Sequence, residues 1–333
     1  MRAVWYDRQG PASEVLTLGT LPDPVPGPGE ALVRLEASGV NPSDVRTRAG
    51  LQGPMEYPRI VPNSDGAGIV ATVGPGVAAH WVGKRVWLYN GQRNGRAFGT
   101  AAELIALDVD LLSELPDHVY FKEGATLGIP CMTAHRGVFV AGPVQGRTIL
   151  VTGGAGAVGN YAVQLASWAG ARVIATVSSD EKAEKARAAG AQHIIDYKRQ
   201  DVAAEVARLT GGAGVDHAVE VDFSGNLSTT IACTRANGSI AVYASGADRA
   251  PRVPVPDLMR RNLTLHAIYL PGVPHEARRR AQRDIGAWVA ARGRILSVAG
   301  TYALADTAAA HEALERGGKR GTIVVLPAGG TGR

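Results

Sequence analysis

Over the first third of the chain, apolar and polar positions alternate with a period of two in short runs. Residues 3–6, 31–37, 68–73, 85–88 and 101–107 read as strands, divided by turn residues such as Gly74-Pro75-Gly76 and Asn90-Gly91. Pro22 to Gly29 reads as a rigid connector, and one short helix is expected at 43–48. An all-β, barrel-like unit follows from this pattern. After Pro116 the texture changes. Residues 121–140 have helical spacing, broken or kinked at Pro130, because proline removes a backbone donor and clashes with the preceding turn. A regular alternation comes next, with strands at 148–151, 172–177, 193–195, 217–221, 239–243 and 263–269. Helices are expected between them at 158–169, 180–189, 202–209 and 227–235, with Gly170, Gly190 and Gly238 where helix C-caps belong. Strands joined by crossover helices describe an α/β, doubly wound parallel sheet. Beyond Pro271 the pattern gives amphipathic helices at 276–292 and 305–315 and one terminal strand at 321–326. That strand is expected to return to the β unit, so that the parallel sheet is inserted into it and the cleft between the two domains is the active site.

The chemistry enters at the first parallel strand. The run Arg147-Thr-Ile-Leu-Val-Thr-Gly-Gly-Ala-Gly-Ala-Val-Gly159 carries an apolar strand into Gly154-x-Gly156-x-x-Gly159 and then directly into a helix. Glycine is 42 of 333 residues, so the triplet alone is weak evidence. A strand before it and a helix after it make it a pyrophosphate cradle, with backbone N–H groups and the helix N-terminus supplying positive charge. The second strand decides between the two nicotinamide cofactors. Residues 172–177 end without the acid that would accept a ribose diol, and Ser178, Ser179 and Lys182 come next. Two hydroxyls and an ammonium suit a 2′-phosphate, so NADPH is preferred over NADH. Asp180 and Glu181 are explained as first-turn helix acids.

Composition narrows the remaining classes. A chain of 333 residues exceeds one ordinary core, and 45% hydrophobic with 20% charged residues is ordinary for a globular protein. Cys131 and Cys233 are the only cysteines, which excludes a disulfide framework and a cysteine-based structural zinc site. The net charge of +5 is scattered apart from Arg260-Arg261 and Arg278-Arg279-Arg280, and those clusters read as solvated surface rather than a nucleic-acid patch. Apolar stretches stop well short of the ~20 residues of a membrane span. The N-terminus enters a strand pattern without a signal-peptide core, so a cytoplasmic location is expected.

Several blocks in order resemble one family. They are Ala37-Ser-Gly-Val-Asn-Pro-Ser-Asp44, Ser64-Asp-Gly-Ala-Gly-Ile-Val-Ala-Thr-Val-Gly74, Glu123-Gly-Ala-Thr-Leu-Gly-Ile-Pro-Cys-Met-Thr-Ala134, the glycine loop, and Ala310-His-Glu-Ala-Leu314. The chain resembles the zinc-free medium-chain dehydrogenase/reductases of the zeta-crystallin type, the NADPH:quinone oxidoreductases, over essentially its whole length. The resemblance implies a Rossmann sheet inserted into a GroES-like β-barrel catalytic domain. The expected limits are 1–122 for the first part of the catalytic domain, 123–268 for the NADPH-binding domain and 269–333 for the returning segment. It further implies hydride transfer from NADPH to a small-molecule acceptor, and commonly a homodimer; the strand at 263–269, apolar and at a sheet edge, is where two copies would pair. Zinc-dependent relatives have Cys where Asn41 stands and Gly-His-Glu where Asn63-Ser64-Asp65 stand. Without a Lewis acid, acceptors that spread hydride charge through conjugation are favoured: quinones and other conjugated carbonyls. An enoyl or 2-alkenal double-bond reductase is the alternative within the class, and an NADPH-dependent nucleic-acid-binding or crystallin-like structural protein the alternative outside it.

The resemblance also implies site residues. Thr133 matches a position beside the nicotinamide, and Gly154, Ala155, Gly156, Ala157, Val158 and Gly159 match the phosphate loop. Ser178, Lys182 and Tyr197 match the 2′-phosphate pocket, while Val221, Ser224, Ala244, Ser245, Ile268, Tyr269 and Leu270 fall on segments lining adenine, ribose or nicotinamide. Lys319 lies in a C-terminal segment that approaches the cofactor. Catalytic residues stay open, with Asn41, Asp44, Arg46 and Tyr57 as candidates. Arg46 stands where the family often has Tyr, which puts a quinone-stacking role in doubt and points either to an anionic acceptor or to a solvated helix residue. Asn41 reads equally as a substrate or ribose contact and as a helix cap. Asp65 reads as structural, holding backbone N–H groups, and Tyr57 as packing at least as much as substrate contact. His135 and His311 read as ordinary core or surface histidines, and Cys131 as an inert buried thiol.

Overall fold

Residues 1–93, 95–318, 321–329 and 332 are described by a computed structural model of the chain. Two units emerge, one made of Met1–Ile129 with Gln282–Arg333 and the other of Pro130–Ala281. The first begins with β1 (Arg2–Trp5), α1 (Ala12–Val15), β2 (Thr17–Thr20), β3 (Glu30–Val40), α2 (Pro42–Arg48) and β4 (Asp65–Val73). It continues with β5 (Arg85–Leu88), β6 (Leu104–Asp108), β7 (Leu112–Glu114) and α3 (Phe121–Gly124). The second runs through α4 (Met132–Phe139), β8 (Thr148–Val151), α5 (Ala157–Trp168), β9 (Arg172–Val177), α6 (Asp180–Ala188) and β10 (His193–Asp196). It goes on through α7 (Val202–Thr210), β11 (Val215–Glu220), α8 (Phe223–Cys233), β12 (Thr234–Val242), α9 (Val255–Arg261) and β13 (Thr264–Ala267). Helix α10 (His275–Ala290) carries the chain back to the first unit, which closes with β14 (Val298–Ala303), α11 (Thr307–Glu315) and β15 (Thr322–Leu326).

The first unit is organised by β3. Its inward side chains Ala31, Val33 and Leu35 pack with Val70, Val86, Leu88, Ile105, Leu107 and Leu112, each buried large side chain contributing about 1.5–3 kcal/mol. The sheet runs β14-β15-β3-β4-β5-β7, with β6 also paired to β3. The tail therefore returns two strands rather than the single one expected. β14 lies parallel to β15, and β15 runs antiparallel to β3. β14 escaped the pattern because its sequence, Val298-Ala-Gly-Thr-Tyr-Ala303, alternates half-buried and exposed positions with no buried residue.

All pairings in the second unit are parallel, in the order β10-β9-β8-β11-β12-β13. The strand order reverses beside β8, the topological switch point where such sheets bind ligands. The helical stretch at 121–140 is broken around Pro130 as expected, dividing into α3, a π-turn at Leu127–Cys131 containing Pro130, and α4. One local expectation fails. Gly238 is no helix cap: α8 ends at Cys233, and Gly238 lies inside β12 after Asn237, which takes the left-handed conformation at φ 59°. Helix α9 was not anticipated, because Pro254 and Pro256 mask a helix start that tolerates proline in its first turn.

Candidate cofactor and acceptor site

Parallel pairing puts the carboxyl ends of β8 to β13 on one rim of the second unit. Most residues expected to hold the cofactor lie there. The glycine loop leaves β8, Gly156 caps α5, and Ala157 and Val158 form its open first turn. A Cβ on Gly159 would lie 2.2 Å from the Gly153 carbonyl oxygen, so only glycine lets helix and loop pack this closely. Thr176 on β9 steadies the loop, its Oγ1 accepting from Gly153 N–H at 3.1 Å and its carbonyl from Gly154 N–H at 3.0 Å.

After β9, Lys182 Nζ donates to Ser178 Oγ at 2.7 Å, so the hydroxyl and ammonium stand together. Ser179 caps α6 by accepting from Lys182 N–H. Asp180 is drawn to Arg199, 3.0 Å away. Tyr197 N–H donates to the Val177 carbonyl at the end of β9, and its side chain is exposed. Val221 and Ser224 follow β11, and Ala244 and Ser245 follow β12. The two segments are tied together, Phe223 N–H donating to Ala244 O and Ser224 N–H to Ser245 O. Ile268, Tyr269 and Leu270 follow β13, with Ile268 N–H on Val242 O at 2.8 Å. Thr133 is buried in the first turn of α4. Lys319 lies outside the described residues.

One residue on this rim escaped sequence reasoning. Glu220, the last residue of β11, is fully buried and collects four donors. Oε1 accepts from Thr152 Oγ1 (3.0 Å), Asp222 N (2.6 Å) and Asn226 Nδ2 (2.9 Å), and Oε2 from Thr230 Oγ1 (2.7 Å). It fastens the turn after β11 to the strand that feeds the glycine loop. The available signal was a lone acid closing the apolar run His217-Ala-Val-Glu220.

The first unit holds a second polar cluster, at the entry to α2. Asn41 caps the helix: its N–H donates to Asp44 Oδ2 at 2.8 Å, and its Nδ2 donates to Asp65 Oδ2 at 2.7 Å. Asp44 Oδ1 accepts from Ser64 Oγ at 2.8 Å and from Arg93 Nη2 at 3.2 Å. Asp65 Oδ2 accepts a second bond from Ile129 N–H at 2.8 Å. Burial pushes both carboxyls above the ordinary range, Asp65 further because Asp44 lies close to it, while Arg93 pulls in the opposite direction. Arg93 was missed, because only the fold brings a loop residue to Asp44.

Behind the cluster, Asn63 donates to Ser38 Oγ at 3.0 Å, so its Oδ1 accepts from His311 Nε2 at 2.9 Å. His311 is fully buried and its Nδ1 has no hydrogen-bond partner; burial, with Arg48 near, pushes its pKa down to about 3. It is a neutral structural imidazole. His135 is likewise buried, with its ring against Phe139 at 4.6 Å, and Cys131 is buried with its thiol pushed up by desolvation. Arg46 is exposed on α2 and forms no ion pair with any described residue. Tyr57 is half-buried against Tyr6, Val15 and Ile60, so it packs a core. Among the described residues, no three His, Cys, Asp or Glu side chains form a metal-ligand set.

Residues 27–117 match the family described as alcohol dehydrogenase GroES-like domain, and 157–284 the family described as zinc-binding dehydrogenase. A 2-haloacrylate reductase from a Burkholderia species is 36% identical over 98% of this chain and 99% of its own length. The mouse quinone oxidoreductase is 30% identical over 91% of each chain. A mycobacterial protein solved in complex with NADPH superposes with a TM-score of 0.85, at 31% identity, over 98% of this chain and 100% of that one. The second family description names zinc, yet the positions where zinc-dependent members place Cys and Gly-His-Glu hold Asn41 and Asn63-Ser64-Asp65, knitted to one another and to Ser38 and Asp44 by hydrogen bonds. With full-length relatives on one side and this donor set on the other, the chain belongs to the zinc-free medium-chain dehydrogenase/reductases of the quinone oxidoreductase type.

Proposed function

We propose that this protein is an NADPH-dependent reductase of quinones and other conjugated carbonyl compounds that works without zinc. The observation that carries the reading is the end of β9, where Lys182 and Ser178 stand 2.7 Å apart and no acid occupies the position that would accept a ribose diol. The glycine loop fits a pyrophosphate on independent grounds, since a side chain at Gly159 is excluded by backbone and the first turn of α5 is open. Gly154 to Gly159 would hold the pyrophosphate, Ser178, Lys182 and Tyr197 the 2′-phosphate, and the segments at 221–224, 244–245 and 268–270 the remainder, with Thr133 beside the nicotinamide. Bound NADPH supplies the hydride. The residues of the chain bind and orient, and the electrostatic work is done by fixed dipoles and cations. On the first unit, Asn41 and Asp44 form a rigid hydrogen-bonded floor at the start of α2, from which Arg46 projects as a cation.

Arg46 favours a finer reading: the acceptor is an α,β-unsaturated carboxylate, the chemical class of the 2-haloacrylate on which the Burkholderia relative is named to act. Steady-state NADPH oxidation with 1,4-benzoquinone, a neutral enone and 2-chloroacrylate tests it. Arg46→Ala is expected to raise KM for the carboxylate about five- to tenfold, an exposed charge-assisted contact being worth about 1 kcal/mol, and to leave the neutral acceptors unaffected. An unchanged KM for the carboxylate removes the anionic reading.

The expected homodimer belongs with this proposal. β13 is a sheet edge, and Val253, Val255, Met259 and Tyr269 are exposed close to it in the chain, an apolar surface suited to a second copy. Sedimentation should give about twice the 34.7 kDa chain mass; a monomer at micromolar concentration overturns it.

A further inference from the structure

Asp44 and Asp65 are both fully buried and share Asn41 as a bridge, but their hydrogen bonds differ in kind. Asp44 receives donors on both oxygens, including the Arg93 guanidinium. That is the environment of an ionised carboxylate. Asp65 receives two N–H groups on Oδ2 and none on Oδ1, which is buried without a partner. Oδ1 lies against the backbone of Gly128, where a Cβ would stand only 2.2 Å from it. An unpartnered oxygen carrying half a negative charge costs far more than an unpartnered hydroxyl. The carbonyl oxygen of a neutral acid still has two lone pairs for the two N–H groups that bond to Oδ2, so protonating Oδ1 gives up neither bond. The charged groups facing Asp65 are Asp44 from α2 and Arg93 from the loop after β5, and Arg93 is already committed to Asp44. One guanidinium balances one carboxylate.

We propose that Asp65 is a neutral carboxylic acid in the folded protein, protonated on Oδ1, and that in this form it is the positioning residue for Asn41. Its carbonyl oxygen fixes the Asn41 amide with Nδ2 inward and ties the helix cap to the turn at Leu127–Cys131 through Ile129 N–H. The cluster is then electrically neutral as a whole, with a single negative charge on Asp44 opposite Arg93. A second carboxylate beside Asn41 would oppose any anionic acceptor or developing negative charge on that side of the unit. The assignment concerns the first unit alone and stands or falls independently of which acceptor is reduced.

Infrared spectroscopy of the purified full-length protein tests it. At pH 7 the spectrum should contain the carbonyl stretch of a protonated carboxyl group. Isotope labelling of aspartate alone should shift that band, which separates it from Glu220, and Asp65→Asn should remove it. Thermal melts give an independent readout. A carboxyl whose folded pKa is raised holds its proton after the unfolded chain has lost its own, so the wild type loses stability as pH rises from the ordinary carboxylate range toward the folded pKa. Asp65→Asn has no proton to lose, and its melting temperature relative to wild type should therefore climb as pH rises above the ordinary carboxylate range. If the variant does not fold, the labelled band is followed in Asp44→Asn instead: its survival there assigns it to Asp65, and its loss overturns the proposal. Absence of a protonated aspartate at pH 7, a band that survives Asp65→Asn, or a melting difference that is flat or falls with pH would overturn the proposal.

Discussion

Gly159→Val is expected to weaken NADPH binding by at least about 100-fold, a loss of roughly 2.8 kcal/mol. The reason is backbone against backbone. The new Cβ would meet the Gly153 carbonyl oxygen at 2.2 Å and its carbon at 2.9 Å, and neither is the end of a flexible side chain that can swing away. The loop must open, and the N–H groups at the start of α5 move off the positions that the pyrophosphate needs. Fluorescence titration with NADPH measures the effect, with far-ultraviolet circular dichroism as the folding control. A Kd within threefold of wild type would show that the loop between β8 and α5 does not hold the cofactor.

The second large effect is on stability. Glu220→Ala removes a fully buried carboxylate that accepts from Thr152 Oγ1, Asp222 N, Asn226 Nδ2 and Thr230 Oγ1; Thr152 keeps the Val219 carbonyl at 3.3 Å, and Asp222 and Asn226 are only part-buried. Each unpaired buried group costs about 1–3 kcal/mol, partly recovered by rearrangement, so a total of about 3–5 kcal/mol is expected. For a unit of this size that lowers the melting temperature by about 10 °C. Glu220→Gln should cost less than half as much, since its amide oxygen still accepts and the Thr230 hydroxyl can turn to accept from the new amide N–H. Calorimetric melts of both variants check the order. Equal melting temperatures for Ala and Gln would mean that Glu220 fills space rather than organising the turn after β11.

These two positions differ in how far the sequence reveals them. Gly159 belongs to a local motif, and local motifs survive translation into one dimension. The strands at 148–151 and 172–177 also coincide with β8 and β9, because fully buried parallel strands are short apolar runs and their helices end at glycines such as Gly170 and Gly190, both at positive φ. Glu220 announces itself only as an acid at the end of such a run. The Asn41–Asp65 and Arg93–Asp44 contacts join residues 24 and 49 positions apart, and no periodicity encodes them. β14 is missed for the opposite reason, its alternation of half-buried and exposed residues giving no apolar face to detect. Tyr57 is ambiguous by residue type, open to packing and to acceptor contact alike, and only the fold shows it packed against Tyr6, Val15 and Ile60.

The family-level reading turns on a donor set. Where zinc-dependent relatives gather ligands, this chain gathers an asparagine and two buried aspartates whose hydrogen bonds are directed at one another and at Arg93. Acceptors that delocalise incoming charge need no Lewis acid, whereas saturated aldehydes do. The most direct measurement is NADPH oxidation by the chelator-treated enzyme, with 1,4-benzoquinone, an enone and 2-chloroacrylate set beside a saturated aldehyde. The account predicts undiminished turnover with at least one conjugated acceptor after metal removal and none with the aldehyde. Loss of turnover on chelation with recovery on added zinc, or NADPH binding without turnover of any conjugated acceptor, would contradict it.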